Sequence, residues 1–143
     1  MNIQMCRVFI SHSERDSVFV EHVRRSLYLI DVECMIAEYK PDAGKDLWDK
    51  IQHMIEESYI VLVVLTASGI ESEWVNREIT IAKTLNKKFI PVVEPIVKER
   101  IPDPLRGKEY IPFDNNNQIE TLEKIAFQLK DLKKNDLGFS MNC

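Results

Sequence analysis

Trp74 and Glu78 lie four positions apart. On a helix that spacing puts an indole and a carboxylate on one face, one turn from each other. Such a pair can stack a flat ring and present negative charge beside it. The same residues also read as a packing aromatic next to a solvated charge, and spacing alone does not separate the two readings. A second polar group, Ser11-His12-Ser13, follows directly on the apolar run Val8-Phe9-Ile10. His12 is isolated there, and neither His22 nor His53 has metal-ligand spacing to it. Those two fall in helical stretches and read as surface or boundary residues. No Walker A loop, GxGxxG, HExxH or GxSxG pattern occurs, and the chain has only four glycines. Metal and phosphate-loop chemistry are therefore not indicated.

The elements that must position these residues belong to one domain. The chain has 143 residues, within the usual size of a single domain, and 19 basic against 23 acidic side chains, a net charge of −4. Its 45% hydrophobic content is ordinary for a globular protein and excludes wholesale disorder. The acidic balance argues against nucleic acid as a partner, since phosphate-backbone binding needs a clustered basic surface. Cys6, Cys34 and Cys143 are an odd set without a CxxC pair, so neither a disulfide framework nor a zinc site is indicated. Cys6 and Cys34 read as small buried thiols. The N-terminus is too weakly apolar for a secretory signal. The longest apolar run, from Tyr59 to Leu65, is far short of the roughly 18–20 residues of a membrane span. The expectation is a soluble, cytoplasmic protein without a membrane partner.

Short apolar runs alternate with amphipathic stretches. Arg7 to Ser11, Val32 to Ala37, Ile60 to Thr66, Phe89 to Val93 and Tyr110 to Phe113 read as five strands. Between them, helices are expected over Ser17 to Ile30, Leu47 to Glu57 and Trp74 to Leu85, the last with Ser72 as N-cap. A final helix follows Asn115 to Gln118, with Ile119, Leu122, Ile125, Leu129 and Leu132 spaced for one buried face. The stretch from Pro95 to Pro104 reads as an irregular surface connection. Residues 1–134 form the domain and residues 135–143 a polar tail, with fraying expected from Lys130 onward. Strand–helix alternation implies crossover connections, hence a flavodoxin-like three-layer α/β fold: a five-stranded parallel sheet with helices on both faces. Ligands in such sheets bind beyond the carboxyl ends of the strands. That directs attention to Ser11 to Asp16, Glu38 to Asp46, Thr66 to Trp74 and the segment from Glu94 onward. A phosphoacceptor receiver domain is excluded, because neither Ser11-His12-Ser13 nor Thr66-Ala67-Ser68 supplies the acidic residues it needs.

From about Val8 to Leu132 the chain resembles a Toll/interleukin-1 receptor (TIR) domain. Val8-Phe9-Ile10-Ser11-His12-Ser13 resembles the family's first box, and Asp42-Ala43-Gly44-Lys45 with the following helix resembles its BB loop. Ser58 to Thr66 is similar to the central strand, and Ser72-Glu73-Trp74-Val75-Asn76-Arg77-Glu78 to the diagnostic SxWxxxE segment. Ile90-Pro91-Val92 and the terminal helix complete the order.

The resemblance implies one of two functions. Some members cleave the nicotinamide–ribose bond of NAD⁺ with the glutamate of WxxxE, giving nicotinamide and linear or cyclic ADP-ribose. Others are non-catalytic scaffolds that signal by associating with other TIR domains. Glu78 holds the catalytic position, which favours the NAD⁺ glycohydrolase. Ser11, Ser13, Lys40, Gly44, Trp48 and Trp74 are then the expected substrate-binding residues. NAD⁺ is substrate rather than cofactor, and no metal is implied. Self-association is expected through the loop from Lys40 to Asp46. Many NAD-cleaving relatives carry an arginine just after the first box; here Ser13 and Glu14 stand in that place, with Arg15 following. A flavodoxin-like nucleoside deoxyribosyltransferase, which also sets a glutamate beside a glycosidic bond, is a third reading.

Overall fold

A computed structural model of the chain describes residues 6–40 and 42–135. Apart from Asn135, the expected polar tail lies outside the described residues, as does Cys143. Five strands alternate with helices: β1 (Cys6–Ser11), α1 (Ser17–Tyr28), β2 (Val32–Met35), α2 (Lys45–Glu56), β3 (Ile60–Leu65), α3 (Ala67–Glu71), α4 (Glu73–Thr84), β4 (Lys88–Val93), β5 (Ile111–Pro112) and α5 (Gln118–Asn135). The sheet has the order β2-β1-β3-β4-β5, and every pairing is parallel. This is the expected flavodoxin-like α/β architecture.

Strand β3 shows why the sheet needs helices on both faces. All six of its residues are buried. Ile60, Leu62 and Val64 join one core with Val20, Val23, Leu27, Ile125 and Leu129 of α1 and α5. Val61, Val63 and Leu65 point the other way, into a core with Trp48, Ile51, Ile55, Trp74, Val75 and Ile79 of α2 and α4. Period-two alternation along one strand thus divides an unbroken apolar run between two layers.

Several boundaries differ from expectation. Helix α1 stops at Tyr28 rather than Ile30, because Asp31 takes a left-handed conformation (φ 62°) that turns the chain into β2. Strand β2 pairs only through Met35, opposite Phe9, so Ile36 and Ala37 lie outside it. Ile119 is 70% exposed and does not belong to the buried face of α5. That helix also stays formed through Asn135 instead of fraying from Lys130; the Lys133 ammonium donates to the carbonyls of Ile30 and Asp31 at 3.2 and 3.5 Å. The segment 95–105 is not merely surface: it holds two 3₁₀ turns that bury Val97 and Leu105, with Ile101 buried between them.

Two short elements have no counterpart in the sequence reading, a 3₁₀ turn over Glu14–Asp16 and one α-helix. The five-residue helix α3 follows β3 directly, capped by the Thr66 hydroxyl, which accepts from the Gly69 N–H at 3.1 Å. Gly69 is required by close approach: a Cβ there would lie 2.4 Å from the Val64 carbonyl oxygen.

The order of strands reverses around β1 and β3, since β1 leads outward to β2 and β3 to β4. A crevice at such a switch point, beyond the carboxyl ends of the strands, is where this fold binds ligands. Ser11 ends β1 there, and Thr66 follows β3.

Candidate functional site

Helix α4 begins where expected, with the Ser72 hydroxyl accepting from the Val75 N–H at 3.1 Å. Its inward stripe is Trp74, Val75, Glu78, Ile79 and Ala82. A carboxylate therefore occupies a position the helix otherwise gives to apolar residues. Glu78 is 1% exposed and Ser11 wholly buried, and the Ser11 hydroxyl donates to Glu78 Oε1 at 2.7 Å. Burial removes the water that would stabilise the anion and raises the Glu78 pKa to about 8, while the Ser11 hydroxyl and the Trp74 indole N–H pull it back only in part. The solvated-charge reading of Glu78 is thus overturned. At neutral pH this resting carboxyl is mostly protonated. A buried acid shifted this far, at the ligand-binding end of a sheet, has the character of a functional group.

Trp74 borders both the carboxyl and an open cleft of about 600 Å³. The cleft is lined by Ser13, Glu14 and Arg15 after β1, by Tyr39, by Ala67, Ser68 and Glu71 of α3, and by Ser72, Glu73 and Trp74 at the start of α4. The Trp74 ring is 7% exposed, edge-on to Tyr39 at 5.4 Å between centroids and 4.5 Å from Trp48. The Arg77 guanidinium sits 4.0 Å above the Trp48 ring. These contacts pack the indole that both lines the cleft and hydrogen-bonds the buried carboxyl.

Of the residues expected to form the site, Ser11, Ser13, Trp74 and Glu78 gather here. Trp48 supports Trp74 from behind and does not line the cleft. Lys40 and Gly44 are exposed and line a different hollow of about 410 Å³, which shares no residue with the cleft. Lys45 in that hollow pairs with Asp49 at 3.1 Å. His12 is half-buried at the end of β1, its pKa lowered by burial against the opposing influence of the Ile10 backbone and Asp16. His22 and His53 are exposed, and His53 sits 3.0 Å from Glu57. Among the described residues no group of three or more His, Cys, Asp or Glu is placed to hold a metal ion. No helix of the described residues is long and apolar enough to cross a membrane.

Tyr39, Asp16 and Thr66 fall in the segments to which the sequence directs attention, but sequence reasoning singled out none of them. Tyr39 lies in an irregular segment after β2, where no periodicity fixes a direction. Asp16 had a signal: Ser13-x-x-Asp16 is a local turn pattern in which a hydroxyl and a carboxylate can meet.

Sheet order, switch-point cleft and buried acid define a three-layer α/β domain of the flavodoxin-like kind with a candidate site at the ends of β1 and β3. The sequence profile of the TIR domain matches residues 8–126, and the chain belongs to the TIR domain family. It is 29% identical over 133 residues to the 2′ cyclic ADP-D-ribose synthase AbTIR of Acinetobacter baumannii, covering 87% of this chain and 48% of that protein. It is 30% identical over 108 residues to Toll-like receptor 6 of Mus musculus, covering 71% of this chain and 14% of the receptor. The chain thus spans about half the length of the first relative and a small part of the second. Among solved structures, the TIR domain of the Toll-related receptor TRR-2 from Hydra magnipapillata superposes with a TM-score of 0.65 at 17% identity, over 85% of this chain and 94% of that one. That likeness shows the shared fold.

Proposed function

We propose that this TIR domain is an NAD⁺ glycohydrolase that cleaves the nicotinamide–ribose bond, with Glu78 as its catalytic carboxylate. The observation that carries this reading is the buried Ser11–Glu78 pair beside Trp74 at the switch-point cleft. The similarity to a cyclic ADP-ribose synthase supports it.

The chemistry suits one carboxylate. Nicotinamide leaves a pyridinium as a neutral molecule, so no acid has to protonate it. Positive charge develops on the ribose in an oxocarbenium-like transition state. An anionic Glu78 stabilises that charge, and a water-poor surround strengthens the interaction. A pKa near 8 in the resting fold does not oppose this role. A pyridinium placed beside the carboxyl favours its charged form and lowers that pKa. For ribose to reach the carboxyl, the Trp74 ring has to swing aside.

A scaffold that signals by TIR–TIR association is the second reading. The sealed position of Glu78 and the similarity to Toll-like receptor 6 favour it. Association in either reading is assigned to the loop around Lys40 and Gly44, which is exposed. Incubating the purified protein with NAD⁺ and following nicotinamide by chromatography separates the two. Release by the wild type and its loss in Glu78→Gln supports the enzyme; no release at any protein concentration supports the scaffold.

A further inference from the structure

Asp16 occupies the N-cap position of α1, yet its side chain makes no capping hydrogen bond. An aspartate there ordinarily accepts from a backbone N–H of the first helical turn. Its Oδ2 instead accepts from two hydroxyls, Ser13 Oγ at 2.9 Å and Thr66 Oγ1 at 2.7 Å. Thr66 in turn accepts from the Gly69 N–H. The resulting chain of bonds joins the loop after β1 to the start of α3, fifty positions away in sequence. Both segments line the cleft, through Ser13, Glu14 and Arg15 on one and Ala67, Ser68 and Glu71 on the other. The bonds also fix the polarity of Ser13. Its hydroxyl proton is committed to Asp16, so toward the cleft its oxygen can only accept.

We propose that Asp16 is a positioning residue: it clamps together two segments that line the cleft and turns Ser13 into an acceptor for a hydroxyl or amide N–H of the substrate. A phosphate oxygen, itself an acceptor at neutral pH, gains nothing from Ser13 in this arrangement. The inference rests on the NAD⁺ reading for the identity of the substrate, and on the hydrogen bonds alone for the clamp.

Three variants separate the clamp from simple helix capping. Asp16→Ser keeps a good N-cap but has too short a side chain to reach both hydroxyls. Asp16→Asn keeps an acceptor oxygen and the side-chain length, and Ser13→Ala removes the group that Asp16 orients. Steady-state cleavage of NAD⁺ is expected to show KM raised about tenfold in Asp16→Ser, with a smaller fall in kcat and partial recovery in Asp16→Asn. Asp16→Ser combined with Ser13→Ala is expected to be little worse than either change alone, because both break one interaction. Amide hydrogen exchange, read without substrate, is expected to quicken in residues 13–16 and 67–71 together in Asp16→Ser, while β3 and β4 keep their protection. Wild-type turnover with an unchanged KM in Asp16→Ser overturns the substrate-positioning role and leaves the NAD⁺ reading standing. Absence of wild-type turnover overturns both of these. Exchange that quickens in only one of the two segments, or in neither, overturns the clamp whatever the kinetics show.

Discussion

Ser11 and Glu78, 67 positions apart, meet at 2.7 Å in the buried interior, the hydroxyl donating to the carboxyl. β1 supplies one partner and α4 the other. The bond therefore ties the end of the sheet to the helix that carries the aromatic wall of the cleft.

Replacing Glu78 with Gln keeps the side-chain volume and a carbonyl acceptor for Ser11 while removing the charge. If NAD⁺ is the substrate, nicotinamide release should fall by about 10²–10³ or more, as when other electrostatic stabilisers of a transition state are removed. Circular dichroism should show the fold intact. Substantial residual turnover in a folded Glu78→Gln protein would count against the assignment.

Stability should depend on pH through the same residue. The folded pKa, about 8, lies above the ordinary carboxyl value of 4.5. Between those limits the folded state holds a proton that the unfolded chain has released. The stabilisation is complete below pH 4.5, is lost as pH rises, and stops changing above the folded pKa. Its limiting slope is about 1.4 kcal/mol per pH unit. Urea denaturation of wild type and Glu78→Gln from pH 5 to 9 should therefore show the variant gaining relative stability as pH rises. Parallel curves would mean that the buried carboxyl is not titrating as its surroundings require.

Trp74→Ala tests packing and chemistry together. The indole is almost wholly buried against Trp48 and Tyr39, so its loss should cost about 3–5 kcal/mol in denaturant unfolding. It should also let water reach Glu78 and bring that pKa back toward 4.5. Carbon NMR titration of labelled glutamate would follow this shift. If NAD⁺ is the substrate, the ratio of linear to cyclic product should change as well. A loss of stability with pKa and product ratio both unmoved would reduce Trp74 to core packing.

Gly69→Ala should destabilise the fold by about 1–3 kcal/mol, because the added methyl meets rigid backbone rather than a side chain that can turn away. Equilibrium unfolding measures it. Gly44→Ala is the control: a Cβ there meets nothing within 4 Å.

Specific activity should rise with protein concentration if a second copy completes the site through the loop around Gly44. Gly44→Pro, which pulls φ from −95° toward the roughly −65° of proline at the N-cap of α2, should reshape the loop and depress that rise, with circular dichroism showing the domain still folded. A flat specific activity over a hundredfold dilution would assign the whole site to a single copy.

The sheet was legible because each strand announces itself locally. Six consecutive apolar residues in β3 require cover on both faces, and Ser72 ahead of the α4 pattern marks a helix start. The site was legible only as a set of residue types. Four positions on a helix place Trp74 and Glu78 on one face, but whether that face meets water depends on β1 and β3, far away in sequence. The same holds for Asp16, whose second partner lies across the sheet at Thr66. Helix α3 escaped notice because five residues with a glycine in the middle carry no readable period and low helical propensity. Ile119 misled in the opposite sense: it keeps the spacing of the α5 stripe but sits in the first turn of the helix and is left exposed.

The aromatic arrangement beside Glu78 has an optical consequence. Trp48 and Trp74 are the only tryptophans in the chain, and their rings are 4.5 Å apart. All indole emission therefore originates at this one place. The two chromophores are close enough to couple, and Arg77 lies over one of them. Any molecule that displaces the Trp74 ring changes the tryptophan signal directly, with no label and no indole elsewhere in the fold to mask it.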